Sequence, residues 1–232
     1  MERIDEITFK VVARIRSDFP DKFGIPRQSG LLKTLRSTIV FEPDFRVADA
    51  LRGLEGFSHL WLLWIFSENV RDGWKPTVRP PRLGGNTRLG VFATRSSFRP
   101  NPIAMSCVKI ENINLMGEGS PNIEVSGADL MDGTPIVDIK PYLPYADSIE
   151  GATGGFAETV RFRRLDVEFA SENLQVPAER KAALVELLSE DPRPAYQKNA
   201  DRVYGIKFAG FDVRFKVDGN LLTVVGISPL NQ

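Results

Sequence analysis

Histidine and cysteine are almost missing from this chain: His59 and Cys107 are the only ones in 232 residues. A single thiol forms no intrachain disulfide and no thiolate cage for zinc, which fits a reducing, cytoplasmic setting. A Cys-His nucleophile would need just these two residues side by side. Cys107 reads better as a small strand hydrophobe, and His59, within FSHLWLLWIF, as a hydrogen-bonded histidine of a strand buried on both faces. Asp129-Leu130-Met131-Asp132-Gly133 lacks the alternating oxygens of a calcium loop, so no metal is expected. Long apolar runs are absent too. The longest, Leu60 to Phe66, falls far short of the roughly twenty residues of a membrane span, and MERIDEITFK has no apolar signal region. A soluble, unprocessed protein with no membrane partner is the expectation. No glycine fingerprint follows a strand, because Gly117-Glu118-Gly119 and Gly151 to Gly155 have the wrong spacing, so a Rossmann domain is disfavoured.

Net charge is also zero, from 30 basic and 30 acidic residues, but it is unevenly spread. Arg71 to Arg99 holds seven basic residues against Asp72 alone, whereas Glu111 to Asp191 holds sixteen acids against six bases. Such polarity suits an anionic partner engaged by one region, although a mosaic surface that cancels in space would give the same counts. The basic stretch runs into RPPRLGGNTRLGVFATRSSFRPNPIAMS. There Pro80, Pro81, Pro100 and Pro102 fix φ while Gly84 and Gly85 permit close backbone approach, as in rigid loops that hold a ligand.

Strand patterns dominate the first part: 7–15, 37–41, 57–66, 89–94, 103–115, 123–130 and 136–142, with a short helix at 46–51 that Asp44 can cap and Gly53 can end. SIEGATGGFAE, from Ser148, loses hydrophobic periodicity and reads as a linker. Beyond it, Ala178 to Leu188 predicts a helix with Ala183, Leu184, Leu187 and Leu188 on one face. Phe211 to Val217 and Leu221 to Ile227 predict a hairpin about Asp218-Gly219. The fold expected is mainly β: an amino-terminal barrel-like domain over 1–150 and a small α+β carboxy-terminal domain over 151–232. At the Asp129 to Asp132 segment two readings stand, a turn that caps its own amides or a site.

Six ordered blocks carry a family resemblance: PRQSGLLK from Pro26, ADALRGLEGFSHLWLLWIF from Ala48, GWKPTVRPPRLGGN from Gly73, GVFATRSSFRPNPIAMS from Gly90, DLMDGTPIVDIKPYLPYAD from Asp129 and DPRPAYQK from Asp191. Together they resemble the bacterial tRNA threonylcarbamoyladenosine methyltransferases, the TsaA-like or TrmO family. The resemblance implies a barrel that binds S-adenosyl-L-methionine, a homodimer, and methylation of the threonylcarbamoyladenosine N6 beside the anticodon of tRNA. Implied cofactor contacts fall on Pro26, Arg27, Gln28, Ser67, Glu68, Arg95, Met105, Asp129, Leu130, Met131 and Asp132. Ser67-Glu68 departs from the family pattern, which has His-Gln there. For the chemistry, Asp129, Asp132 and Glu68 are candidate proton acceptors, and Arg99 can pair with the threonyl carboxylate. Arg79, Arg82, Arg99, Arg193 and Tyr196 are the expected RNA contacts, with Phe98, Trp74 and Tyr196 available for base stacking. A non-catalytic RNA-binding module and a small-molecule methyltransferase are the competing functions.

Overall fold

The computed structural model describes residues 6–70, 73–80, 83, 86–159, 164–172, 176–193 and 199–230. Arg82 and Tyr196 therefore lie outside the described residues, as do Gly84 and Gly85.

Three strands open the chain: β1 (Ala13–Arg16), β2 (Arg36–Phe41) and β3 (His59–Ile65). A two-stranded ribbon, β4 (Thr77–Val78) and β5 (Leu89–Gly90), follows, and then β6 (Ile103–Asn114), β7 (Asn122–Ser126) and β8 (Pro135–Pro141). All but the ribbon close a barrel in the order β1-β2-β7-β6-β3-β8, with β8 returning to β1 through Ala13 and Ile136. Closure removes exposed sheet edges, and the period-two alternation of each strand sends one set of side chains inward. Ile15, Ile39, Leu60, Leu62, Val108, Ile123, Val125 and Ile136 fill the interior with almost no exposure.

The strand expectations hold in outline and fail in detail. β3 alternates buried with half-buried residues, so it is covered on one face and not on both; His59 is half-buried and its Nδ1 lies 2.8 Å from the Ser58 hydroxyl. The strand expected at 89–94 is only Leu89–Gly90, because Val91–Ala93 turns into a 3-10 helix. Residues 46–51 hold a 3-10 turn, Ala48–Leu51, without an Asp44 side-chain cap. The amino-terminal strand begins at Ala13, and Ile7 and Phe9 before it stay exposed.

Past two short helices, α1 (Pro144–Asp147) and α2 (Phe156–Thr159), comes a second layer pair. It consists of β9 (Asp166–Phe169), α3 (Ala178–Ser189), β10 (Tyr204–Phe208), β11 (Phe211–Asp218) and β12 (Leu221–Pro229). The sheet order is β10-β11-β12-β9, with β9 parallel to β12. α3 buries the four residues that its 3.6 periodicity singled out. Fully burying each of its three leucines stabilises by about 1.5–3 kcal/mol. The hairpin pairs Asp218 with Leu221, so its turn is Gly219-Asn220, with Gly219 at φ +56°, one residue later than the sequence suggests. The strands of the two halves separate near residue 150, but the cores do not: Phe19, Leu32 and Leu35, from between β1 and β2, are buried with Phe208, Phe215 and Leu188. Among the described residues no helix is long and apolar enough to cross a membrane.

Across β2, β7 and β6, Glu111 ties three strands together. Ser126 donates to its Oε1 at 2.6 Å, Lys109 lies 3.3 Å away, and Arg36 closes on the same oxygen. The Ser126 hydrogen bond first, then Arg36 and Lys109, hold its carboxyl down at about 2 against the opposing effect of burial. A depressed carboxyl stabilises the fold above the unfolded-state value and loses that contribution as pH falls toward about 2. Glu111→Gln is expected to lower unfolding stability at pH 7 by about 1.5–3 kcal/mol, the usual value of hydrogen bonds to a charged group. In urea titrations that gap to wild type should close between pH 4 and 2, and a gap independent of pH would refute the assignment.

Candidate functional site

The connection from β1 to β2 passes the open end of the barrel, where two glycines set its depth. Gly127 has φ +81°, and a Cβ there would come within 3.1 Å of the Gly30 Cα. Only a residue without Cβ lets the two backbones meet and lets the Gly30 amide donate to the Gly127 carbonyl at 2.8 Å. One residue earlier, Ser29 Oγ accepts the Cys107 amide at 3.1 Å. β7 pairs with β6 only from Lys109 onward, so Ser29 supplies the partner that the strand edge lacks at Cys107. Cys107 is half-buried, and burial raises its thiol pKa, which opposes a nucleophilic role.

Asp129 follows β7 at this place. The Ser106 hydroxyl donates to its Oδ1 at 2.5 Å and in turn accepts the Trp64 indole N–H at 2.9 Å. Burial pushes the Asp129 carboxyl up to about 6, opposed by the Ser106 hydrogen bond, its own amide and the Arg95 charge. Arg95 Nη1 donates to Gln28 Oε1 at 2.6 Å. Gln28, Ser29, Arg95, Ser106 and Asp129 thus converge from four separate stretches of chain.

Other expected contacts lie elsewhere. Asp132 Oδ1 accepts the Ser17 amide at 3.0 Å and its Oδ2 lies 3.7 Å from Arg16, so this carboxylate secures the end of β1. Leu130 is wholly buried in the barrel core, and the Met131 carbonyl accepts the Thr134 amide and hydroxyl. The turn reading therefore describes 130–134, while Asp129 lies in the cluster with Ser106 and Arg95. Met105 points out of the barrel opposite Leu63, 48% exposed, and it is Ser106 that faces Asp129. Ser67 and Glu68 are exposed on a 3-10 turn at the end of β3, and the next residues, Asn69 and Val70, line the groove described below. Pro26 and Arg27 precede Gln28, with the Arg27 guanidinium turned toward the second half of the chain.

From this corner a groove of about 2300 Å³ opens. Its described lining holds eight Lys and Arg residues and no Asp or Glu. Six of them, Lys75, Arg79, Arg88, Arg95, Arg99 and Arg193, come from both halves of the chain. Arg88, just before β5, is exposed. Arg99 Nη1 donates to the Thr94 carbonyl at 3.1 Å, which fixes the loop before Pro100. Arg193 differs from the described candidates Arg79 and Arg99 in being ion-paired with Asp191, at 2.8 Å. Trp74 and Phe98 are 50% and 48% exposed in the groove, and Phe92, which the strand reading hid, is 73% exposed with its ring 5.9 Å from Trp74. The 3-10 turn explains Phe92: it buries Val91 and turns the next side chain outward.

A closed barrel with a half-buried carboxylate beside Arg95, and a basic, aromatic-studded groove with no acid in its described lining, make a surface suited to a polyanion carrying exposed rings. Residues 14–148 match the tRNA-methyltransferase O N-terminal domain and residues 159–230 the TrmO C-terminal domain. The chain belongs to the TrmO family. It is similar to the Escherichia coli tRNA (adenine(37)-N6)-methyltransferase, 42% identical over 230 residues, which cover 95% of this chain and 97% of that one. The Pseudomonas aeruginosa relative RcsF, which carries S-adenosylmethionine-dependent methyltransferase in its name, is 43% identical over 212 residues, 88% of this chain and 90% of its own. A crystal structure of TrmO from Pseudomonas aeruginosa superposes with a TM-score of 0.78 at 32% identity, covering 96% and 98% of the two chains.

Since the Ser106 hydrogen bond favours the charged carboxylate, Ser106→Ala should move the Asp129 pKa further up from about 6. Carbon-detected NMR titration of the Asp129 carboxyl reads this directly, and an unchanged midpoint would remove Ser106 from the site.

Proposed function

We propose that this chain transfers a methyl group from S-adenosyl-L-methionine to N6 of threonylcarbamoyladenosine beside the anticodon of tRNA. The observation that carries the reading is the basic groove, without an acid in its described lining, whose Gln28 and Arg95 lead to Asp129, in a chain of the TrmO family. A small-molecule substrate would leave the groove and its exposed rings without a purpose. The names of the relatives, tRNA (adenine(37)-N6)-methyltransferase among them, support the same reading.

The donor set fits the cofactor. Arg95, steered by Gln28, offers a guanidinium for a carboxylate, and the half-buried Asp129 offers an anionic oxygen for an ammonium or hydroxyl. When bound, the cofactor supplies an electrophilic methyl on sulfonium. The residues around it must then do two things for a nitrogen whose lone pair is delocalised into ring and carbamoyl. They must hold that nitrogen in line at about 3–3.5 Å, and they must take its proton. Asp129 is the acceptor that fits, because a carboxyl near 6 is largely ionised at neutral pH and still basic enough to bind a proton. Asp132 is engaged by Ser17, and Glu68 is exposed. Arg99 lines the groove and would pair with the threonyl carboxylate, distinguishing modified from plain adenosine.

The same reading assigns catalysis to 1–150 and a share of tRNA recognition to 151–232, in a homodimer acting in the cytoplasm. An outward apolar face supports the dimer: Met105 beside Leu63, with Tyr145 and Ile149 86% and 74% exposed just after β8.

Nucleoside mass analysis of tRNA incubated with protein and cofactor should show one added methyl on threonylcarbamoyladenosine and none on adenosine in unmodified tRNA. Equal methylation of both would refute the specificity assigned to Arg99. At saturating cofactor and tRNA, turnover should fall as pH drops through about 6, the acceptor being protonated; a flat profile from pH 5 to 8 would remove Asp129 as acceptor. For binding, Arg88→Ala should weaken tRNA affinity and make its salt slope shallower by about one unit, and a wild-type slope would show that Arg88 contacts no phosphate.

A further inference from the structure

Arg27 stands between the two halves of the molecule. Its Nη2 donates to the Arg193 carbonyl at 2.6 Å and to the Asp191 carbonyl at 3.3 Å. The loop that accepts these bonds is braced from its own side. The Arg193 guanidinium forms two bonds to the Asp191 carboxylate, at 2.8 and 2.9 Å, and lies 5.9 Å from the centre of the Tyr204 ring. Asp191 itself takes φ +52°, a conformation that non-glycine residues hold only when their surroundings impose it, directly after α3.

On the other side of Arg27 the contacts run without a gap into the site. Gln28 Nε2 donates to the Arg27 carbonyl at 2.6 Å, and Gln28 Oε1 receives Arg95, whose charge acts on Asp129. Ser29 and Gly30 then fasten the far end of the segment to Cys107 and Gly127. The segment 26–30 is therefore held at two ends. One anchor is the barrel and the other is the loop at residues 191–193.

We propose that Arg27 is a positioning residue through which the 191–193 loop holds Gln28, and with it Arg95 and Asp129, in the arrangement used for methyl transfer. The second half of the chain then serves turnover as well as RNA binding. This rests on the methyl-transfer reading above. A guanidinium suits the task because one end of its planar fork, Nη2, reaches two carbonyl oxygens from a fixed plane, which a flexible lysine ammonium does not reproduce.

Arg27→Lys keeps the charge and removes the fork, and Asp191→Asn weakens the brace from the opposite side. Both variants should raise the hydrogen-exchange rate of the Gly30 amide by about tenfold or more, a readout independent of activity. On substrate tRNA, both should lower kcat at saturating tRNA and cofactor, Arg27→Lys by about tenfold, with little change in either KM. The double variant should be no slower than Arg27→Lys alone, since the two act on one connection. Unchanged Gly30 exchange in both variants would overturn the proposal. A loss confined to the cofactor KM would overturn it by making Arg27 a direct cofactor contact, and a loss confined to the tRNA KM would do so by making the loop an RNA contact only. Multiplicative losses in the double variant would also overturn it. If wild-type protein methylates no tRNA, the methyl-transfer reading fails, and Gly30 exchange still decides the role of Arg27 in holding the segment.

Discussion

The meeting of Gly30 with Gly127 is the constraint on which the site depends. A Cβ at Gly127 would stand 3.1 Å from the Gly30 Cα, tighter than ordinary contact, and φ +81° strains any other residue there. With the two in contact, the connection between β1 and β2 lies against the barrel mouth, Ser29 completes the edge of β6, and Gln28 reaches Arg95. The same connection supplies Phe19, Leu32 and Leu35 to the core under α3. One stretch of chain therefore joins both cores and carries the residues that would face a cofactor between its two anchors.

Electrostatics divides the work around that frame. The groove gathers cations with no acid in its described lining, an arrangement that would raise the local concentration of a polyanion and speed its arrival, yet contribute little to choosing one base. Selectivity and chemistry need fixed, desolvated groups, and in the proposed reading these are the ones beside Gln28 and Arg95. Asp129 is the example: burial raises its pKa, while Ser106 and Arg95 limit the rise, leaving a carboxyl near 6. Cations farther out, such as Arg79 and Arg88, are exposed and interchangeable in effect. Asp132, three residues from Asp129, shows how position outweighs residue type, because the Ser17 amide turns an identical side chain into a structural tie.

Aromatic side chains follow the same division. Trp64 is buried at 8% exposure and uses its indole N–H to orient Ser106, whereas Trp74, Phe92 and Phe98 stand in the groove with large exposed faces. Exposing such rings costs hydrophobic free energy unless a partner covers them, and stacked nucleobases are the partners that a basic groove brings near.

Much of this was written in the sequence because it depends on local rules. Period-two alternation marked most barrel strands, the 3.6 periodicity of 178–188 named the buried face of α3, and the basic run 71–99 marked the groove. The six blocks marked the family and the Asp129 segment. Tertiary structure decided what local rules do not contain. Neither Ser106 nor Trp64 has a sequence signal that tells it from an ordinary strand residue; they become site residues because β3 and β6 pair in register beneath Asp129. Phe92 carries no sequence signal that tells an exposed ring from a core one; in the structure it stands exposed beside buried Val91. Arg27 bonds to carbonyl oxygens more than 160 residues away, and a carbonyl is present at every position of a chain, so no residue pattern can announce that contact. The sequence by itself determined the elements, the charge segregation and the family, while only the packing of one connection between two cores decided which side chains meet.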